Sequence, residues 1–91
     1  MKYTQKQLEA IEGLAAICTR PTEIAITLDI PEEQFKSDIA IADNPARRAY
    51  IRGKLSTKTE IRKQMLLFAR AGSPAAVEMM DKALLDMEDD E

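Results

Sequence analysis

The stretch PTEIAITLDIPEEQFKSDI, residues 21–39, decides the fold. Pro21 and Pro31 each open a short helical segment, a position where proline's missing N–H is unneeded and its fixed φ suits the first turn. Between the segments, Asp29-Ile30-Pro31 reads as a tight turn. Helical spacing points Ile24, Ala25 and Leu28 inward from the first segment and Phe35 and Ile39 inward from the second, with Ile30 plugging the turn. Ala25 falls where the two helices approach most closely, so a side chain larger than a methyl would push them apart. Two helices joined in this way make a helix-turn-helix, a unit whose second helix commonly enters the DNA major groove.

Working outward, Thr4 and Gln7 fit a capping box, and Leu8, Ile11, Leu14, Ala15 and Cys18 follow at helical spacing. A first helix is therefore expected over about 4–18, with Cys18 a small core residue. The second is expected over 21–28 and the third from Pro31 to about Ala42. Asn44 and Pro45 supply an N-cap and a first helical residue for a long helix reaching Arg70, with Gly53 and Ser56-Thr57 as soft spots. Ala71-Gly72-Ser73-Pro74 then stops one helix and starts another, which runs to about Met87. The expectation is an all-α chain of five helices: a helix-turn-helix unit at 1–43, a helical hairpin with a surface for oligomerisation at 44–87, and an acidic tail at 88–91.

Composition agrees. The 91 residues suit one domain, 45% are hydrophobic, and only three are glycine. No run approaches 18 apolar residues and the N-terminus lacks an apolar signal core, so the expected location is the cytoplasm, of a cell or of an infected one. The lone Cys18 fits a reducing compartment.

An enzyme is not expected. The chain has no histidine, which removes the commonest general base and metal ligand. It has no glycine-rich phosphate loop, no cysteine pair and no calcium-loop pattern, so neither a metal nor a cofactor is anticipated. Its carboxylates lie in runs, such as Glu32-Glu33 and Glu88 to Glu91, that read as solvated faces.

Charge is segregated. Residues 1–46 carry net −4, residues 47–70 carry eight basic side chains against Glu60 alone, and residues 71–91 carry net −6. A mild overall charge of −3 thus hides a basic helix between acidic ends. On that helix Arg52, Lys63 and Arg70 share one side with Arg48 close by, while Ile51, Leu55, Met65, Leu66 and Ala69 form the expected apolar stripe. Lysines and arginines so clustered fit contact with DNA phosphates, from which they release counterions. The candidate contacts are Arg47, Arg48 and Arg52, with Arg20 flanking, and Lys36 and Ser37 at the groove. The second helix of the unit is acidic, however, which repels phosphate and leaves a protein-binding role open.

The order of these features resembles the phage terminase small subunit, the DNA-recognition component of a genome-packaging motor. The resemblance rests on LEAIEGLAAICTRPTEIAITLDIPEEQF and on RAYIRGKLSTKTEIRKQMLLFARAGSPAAVEMMDKAL. In the second run Arg48, Ala49, Tyr50, Gly53, Ile61, Arg62, Ala69, Gly72, Pro74, Ala75 and Ala76 fall on the family's pattern. The resemblance implies a non-catalytic protein that binds double-stranded DNA, assembles as a homo-oligomer and hands DNA to a large subunit. The chain is short for that family. Two alternatives share the fold: a helix-turn-helix transcriptional regulator, and a protein-interaction adaptor that does not bind DNA.

Overall fold

A computed structural model describes every residue, Met1–Glu91, as five helices with no strand: α1 (Gln5–Ala16), α2 (Pro21–Thr27), α3 (Glu32–Ala40), α4 (Pro45–Arg70) and α5 (Pro74–Asp89). The all-α expectation holds, and most boundaries follow from local chemistry. At the start of α1 the Gln7 N–H donates to Thr4 Oγ1 at 3.1 Å, and the Thr4 N–H donates to Gln7 Oε1 at 2.9 Å. This reciprocal pair satisfies two donors that the first turn leaves without partners. Asn44 Oδ1 accepts from the Ala46 N–H at 2.9 Å, and Ser73 Oγ accepts from the Ala76 N–H at 3.3 Å, so both expected caps form. α3 ends two residues before Ala42 because Ile41 takes an extended backbone. α5 continues two residues past Met87.

Three helices stop in the same way. After α1, α2 and α4 the chain places one residue at positive φ, respectively Cys18 (64°), Asp29 (55°) and Gly72 (100°). The next N–H then reaches back into the helix: Thr19 to the Leu14 carbonyl at 3.0 Å, Ile30 to Ala25 at 2.8 Å, and Ser73 to Phe68 at 3.0 Å. Each is a Schellman closure, which satisfies carbonyls that the helix end would orphan. Only Gly72 takes the left-handed conformation without a Cβ penalty. Cys18 therefore departs from its expected role. It is exposed at the turn rather than buried in the core, because the helix ends two residues before it and the reversal swings its side chain outward.

The chain divides into two compact units, Met1–Thr57 and Lys58–Glu91, and the division falls within α4. The first unit has a continuous core of Ile11, Ile24, Ala25, Ile30, Phe35, Ala46 and Ala49, flanked by Tyr3, Leu8, Leu14, Leu28, Ile39 and Tyr50. Every residue assigned inward in the helix-turn-helix stretch belongs to it. Phe35, Ile11 and Ile24 are its largest fully buried side chains, each worth about 1.5–3 kcal/mol of transfer free energy. Ala25 is fully buried and its carbonyl accepts the Ile30 N–H, so the close approach and the turn meet at one residue.

The first half of α4 enters this unit through a face other than the expected one. Ala46, Ala49 and Gly53 are buried, whereas Ile51 is only partly covered and Leu55 is 46% exposed. Small residues at this spacing let two backbones come close. A Cβ on Gly53 would strike the carbonyl oxygen of Glu12 and would lie 2.8 Å from the Ala15 Cβ. Gly53 is therefore the contact point of α4 with α1, and the helix passes through it unbroken. Thr57, the other soft spot, donates its hydroxyl to the Ala16 carbonyl at the end of α1.

The second unit comprises α4 from Lys58 and α5, joined by the three residues between Arg70 and Pro74. Within it Ala76 alone is buried, and Met65, Leu66, Ala69, Met80 and Ala83 are half-buried. No helix is long and apolar enough to cross a membrane.

Candidate nucleic-acid interface

α3 presents Glu32, Glu33, Lys36 and Ser37 to solvent. Two of these four are tied to each other: Lys36 Nζ donates to Glu32 Oε1 at 2.8 Å, and Thr22 Oγ1 donates to the same oxygen at 3.2 Å. The Lys36 ammonium, and after it the Thr22 hydroxyl, hold the Glu32 carboxyl below its ordinary pKa. Glu32 thus stays ionised at neutral pH and matches the charge of Lys36. Ser37 is exposed and its hydroxyl makes no hydrogen bond. The outward face of α3 therefore offers one paired cation, one free hydroxyl and the carboxylate of Glu33.

The inward side of α3 holds a polar group that sequence spacing did not reveal. Asp38 is buried at 3% exposure, accepting from the Tyr3 hydroxyl at 2.5 Å on one oxygen and from Gln34 Nε2 at 2.9 Å on the other. A buried carboxylate without such partners would be strongly destabilising. Desolvation, followed by the hydrogen bond to Asp38 and its negative charge, pushes the Tyr3 phenol well above its ordinary value. Tyr3 is thereby fixed as a neutral donor, pinning the segment before α1 to the second helix of the turn unit. The signal was only an aromatic ahead of the first cap, too common to single out.

The predicted arginines divide between two places. Arg20 stands at the start of α2, exposed, where its N–H donates to Glu23 Oε1 at 3.2 Å and its side chain lies 3.5 Å from the same carboxylate. Arg47, Arg48 and Arg52 come together with Ala42, Ile51 and Leu55 around one groove on the first half of α4. Arg47 is half-buried and donates through Nη1 to the Ile39 carbonyl at 2.7 Å. That oxygen belongs to the last turn of α3 and has no helical partner, so Arg47 closes the helix end and brings the start of α4 beside it. Arg48 lies 4.0 Å from Asp43, and Arg52 donates to Glu12 at 3.2 Å.

These contacts differ in what they leave free. The Arg48 and Arg52 side chains are about two-thirds exposed, at 68% and 69%. Exposed ion pairs of this kind are worth about 0–1 kcal/mol, so phosphate oxygens can replace the carboxylates at little cost. Arg47 has less freedom, because giving up the Ile39 carbonyl would unseal α3. Lys54 sits with Nζ 5.3 Å from the Tyr50 ring centroid, a cation–π contact on the same helix.

Ile51 and Leu55 belong to this groove rather than to the core. The small-residue ridge Ala46-Ala49-Gly53 carried the signal for that, since it marks an alternative packing face. No three His, Cys, Asp or Glu side chains are grouped as metal ligands. Comparison with protein-family models, curated proteins and solved structures found no match.

Proposed function

We propose that this chain is a non-catalytic DNA-binding protein of the helix-turn-helix type, resembling the phage terminase small subunit that recognises viral DNA for packaging. The observation that carries the reading is the join between α3 and the basic groove. Arg47 bonds the last turn of α3, and the exposed Arg48 and Arg52 line the same groove. In this reading α3 lies in or over the major groove with Lys36 and Ser37 at base edges. Arg48 and Arg52 contact phosphates beside it, Arg47 orients them, and Arg20 meets the backbone from the start of α2. As in the family it resembles, the chain would work as a homo-oligomer alongside a large subunit. A transcriptional regulator would use the same contacts on a two-fold operator.

Duplex binding measured by fluorescence anisotropy across a salt series tests the proposal. Affinity should fall steeply with salt, and the log–log slope should shrink by about 2 when Arg48 and Arg52 are both changed to alanine. No binding at low salt would reject it. The pairing of Lys36 with Glu32 beside the exposed Glu33 favours a second reading, an adaptor that meets a protein through α3. In that case loss of Arg48 and Arg52 leaves its activity unchanged.

A further inference from the structure

The basic groove has an unusual make-up for a surface that only meets phosphate. Arg47, Arg48 and Arg52 line it together with Ala42, Ile51 and Leu55. Phosphates have no use for the apolar part of the lining. An amphipathic acidic helix would use both parts, setting apolar side chains against Ile51 and Leu55 and carboxylates against the arginines.

This chain carries such a helix. α5 exposes Leu84, Leu85 and Met87 at 49%, 60% and 61%. Leu84 and Met87, three residues apart, share a face, and Glu88 borders it. Asp86, Asp89, Asp90 and Glu91 continue the negative charge to the end of the chain. Within the second unit the single ion pair is Lys63 with Glu60, which leaves the α5 carboxylates without a cation at ion-pair distance there. The groove arginines take their partners, Ile39, Asp43 and Glu12, from the first unit.

We propose that the groove of one copy takes the acidic end of α5 from a second copy, and that this contact competes with DNA for Arg48 and Arg52. The two patches differ, so each contact joins unlike surfaces of the two copies. Its charge component makes self-association salt-sensitive, and a duplex displaces α5 by occupying the same guanidinium groups. Free chain is then held away from non-specific DNA until a better duplex site outbids the carboxylates. The docking is independent of the DNA reading, whereas the competition rests on it.

A fluorescein-labelled full chain carrying R48A and R52A keeps its α5 carboxylates, and an unlabelled full chain carrying D86N, E88Q, D89N, D90N and E91Q keeps the groove. Titrating the second into the first at low salt tests the docking without DNA, because each chain offers one of the two patches. Binding is expected, weakened about tenfold by adding R48A and R52A to the unlabelled chain and also weakened by adding L55Q to it. Circular dichroism of each variant verifies that the helices persist, as the exposure of all three positions predicts. Absence of binding, or binding indifferent to these substitutions, overturns the docking. Unlabelled duplex should then release the labelled chain. If it does not, and the duplex still binds the groove-bearing chain, the competition is overturned. If the duplex binds no form of the chain, the DNA reading fails while the binding of the two chains still decides the docking.

Discussion

The two phenylalanines of this chain have opposite surroundings. Phe35, in the first unit, is fully buried within a core drawn from four helices, whereas Phe68, in the second, is 56% exposed. The contrast extends to the units themselves. The first buries Ile11, Ile24, Ala25, Ile30, Phe35, Ala46 and Ala49 together, and the second buries only Ala76. Two helices joined by a short turn can cover only one stripe of each other, while α1, α2 and α3 with the start of α4 enclose a volume. The first unit is thus held by its interior. The second relies more on helix propensity, on the Ser73 cap and on the Gly72 closure, and Leu67, Phe68, Met79, Leu84, Leu85 and Met87 stay exposed in it.

The sharpest way to break this contrast is to truncate each phenylalanine. Phe35→Ala should cost about 3–5 kcal/mol, enough to abolish a cooperative thermal transition in a domain of this size, while Phe68→Ala should cost less than about 1 kcal/mol. Thermal melts followed by circular dichroism compare them directly. Similar losses at both positions would mean that the second unit has a core of its own.

Two glycines sharpen the same comparison at the level of the backbone. Gly13 and Gly53 both lie inside helices, and a Cβ on Gly13 meets nothing within 4 Å. Gly13→Ala should therefore stabilise by about 0.5–1 kcal/mol, the ordinary helix-propensity gain. Gly53→Ala would gain the same propensity, but its methyl runs into the α1 backbone, and the net effect should be a loss of about 1–2 kcal/mol. Urea titrations of the two variants should move in opposite directions. A stabilising Gly53→Ala would show that α1 and α4 do not cross there.

A smaller effect is expected from Tyr3→Phe, about 1–2 kcal/mol, because it leaves one oxygen of the buried Asp38 without its donor. Its pH signature is distinctive. The phenol is raised in the folded state, so its contribution is fully present below the unfolded value of 10.0 and is lost as pH rises beyond it. Denaturant titrations at pH 7 to 11 should show wild type losing stability above pH 10 more steeply than the variant. Parallel curves would mean that the bond to Asp38 does not form.

Much of the fold was legible beforehand because its signals are local. The T-x-x-Q box of α1, Asn44 ahead of Pro45 and Gly72-Ser73-Pro74 are chemical instructions contained within a few residues, and each produced its cap or stop. The inward set of the turn unit followed from spacing around a single apolar stripe. Cys18 lies outside the core its spacing implies, because one position decides between a last helical turn and a reversal, and apolar spacing does not distinguish them. Ile51 and Leu55 lie off the buried face of α4 because hydrophobicity points one way and packing goes the other: the buried residues there are Ala46, Ala49 and Gly53.

For the candidate interface, composition located the basic segment, and the structure differentiated its members. Arg47, Arg48 and Arg52 are equivalent as letters, yet Arg47 seals α3 while the other two hold weak exposed pairs. The sequence by itself determined the number of helices, the N-caps of α1, α4 and α5 and the segregation of charge, since all three depend on neighbours along the chain. Only the tertiary structure decided which face of α4 is buried, what Tyr3 and Asp38 do for each other, and which arginines remain free to exchange partners. Those outcomes depend on residues far apart in sequence competing for the same volume and the same hydrogen bonds.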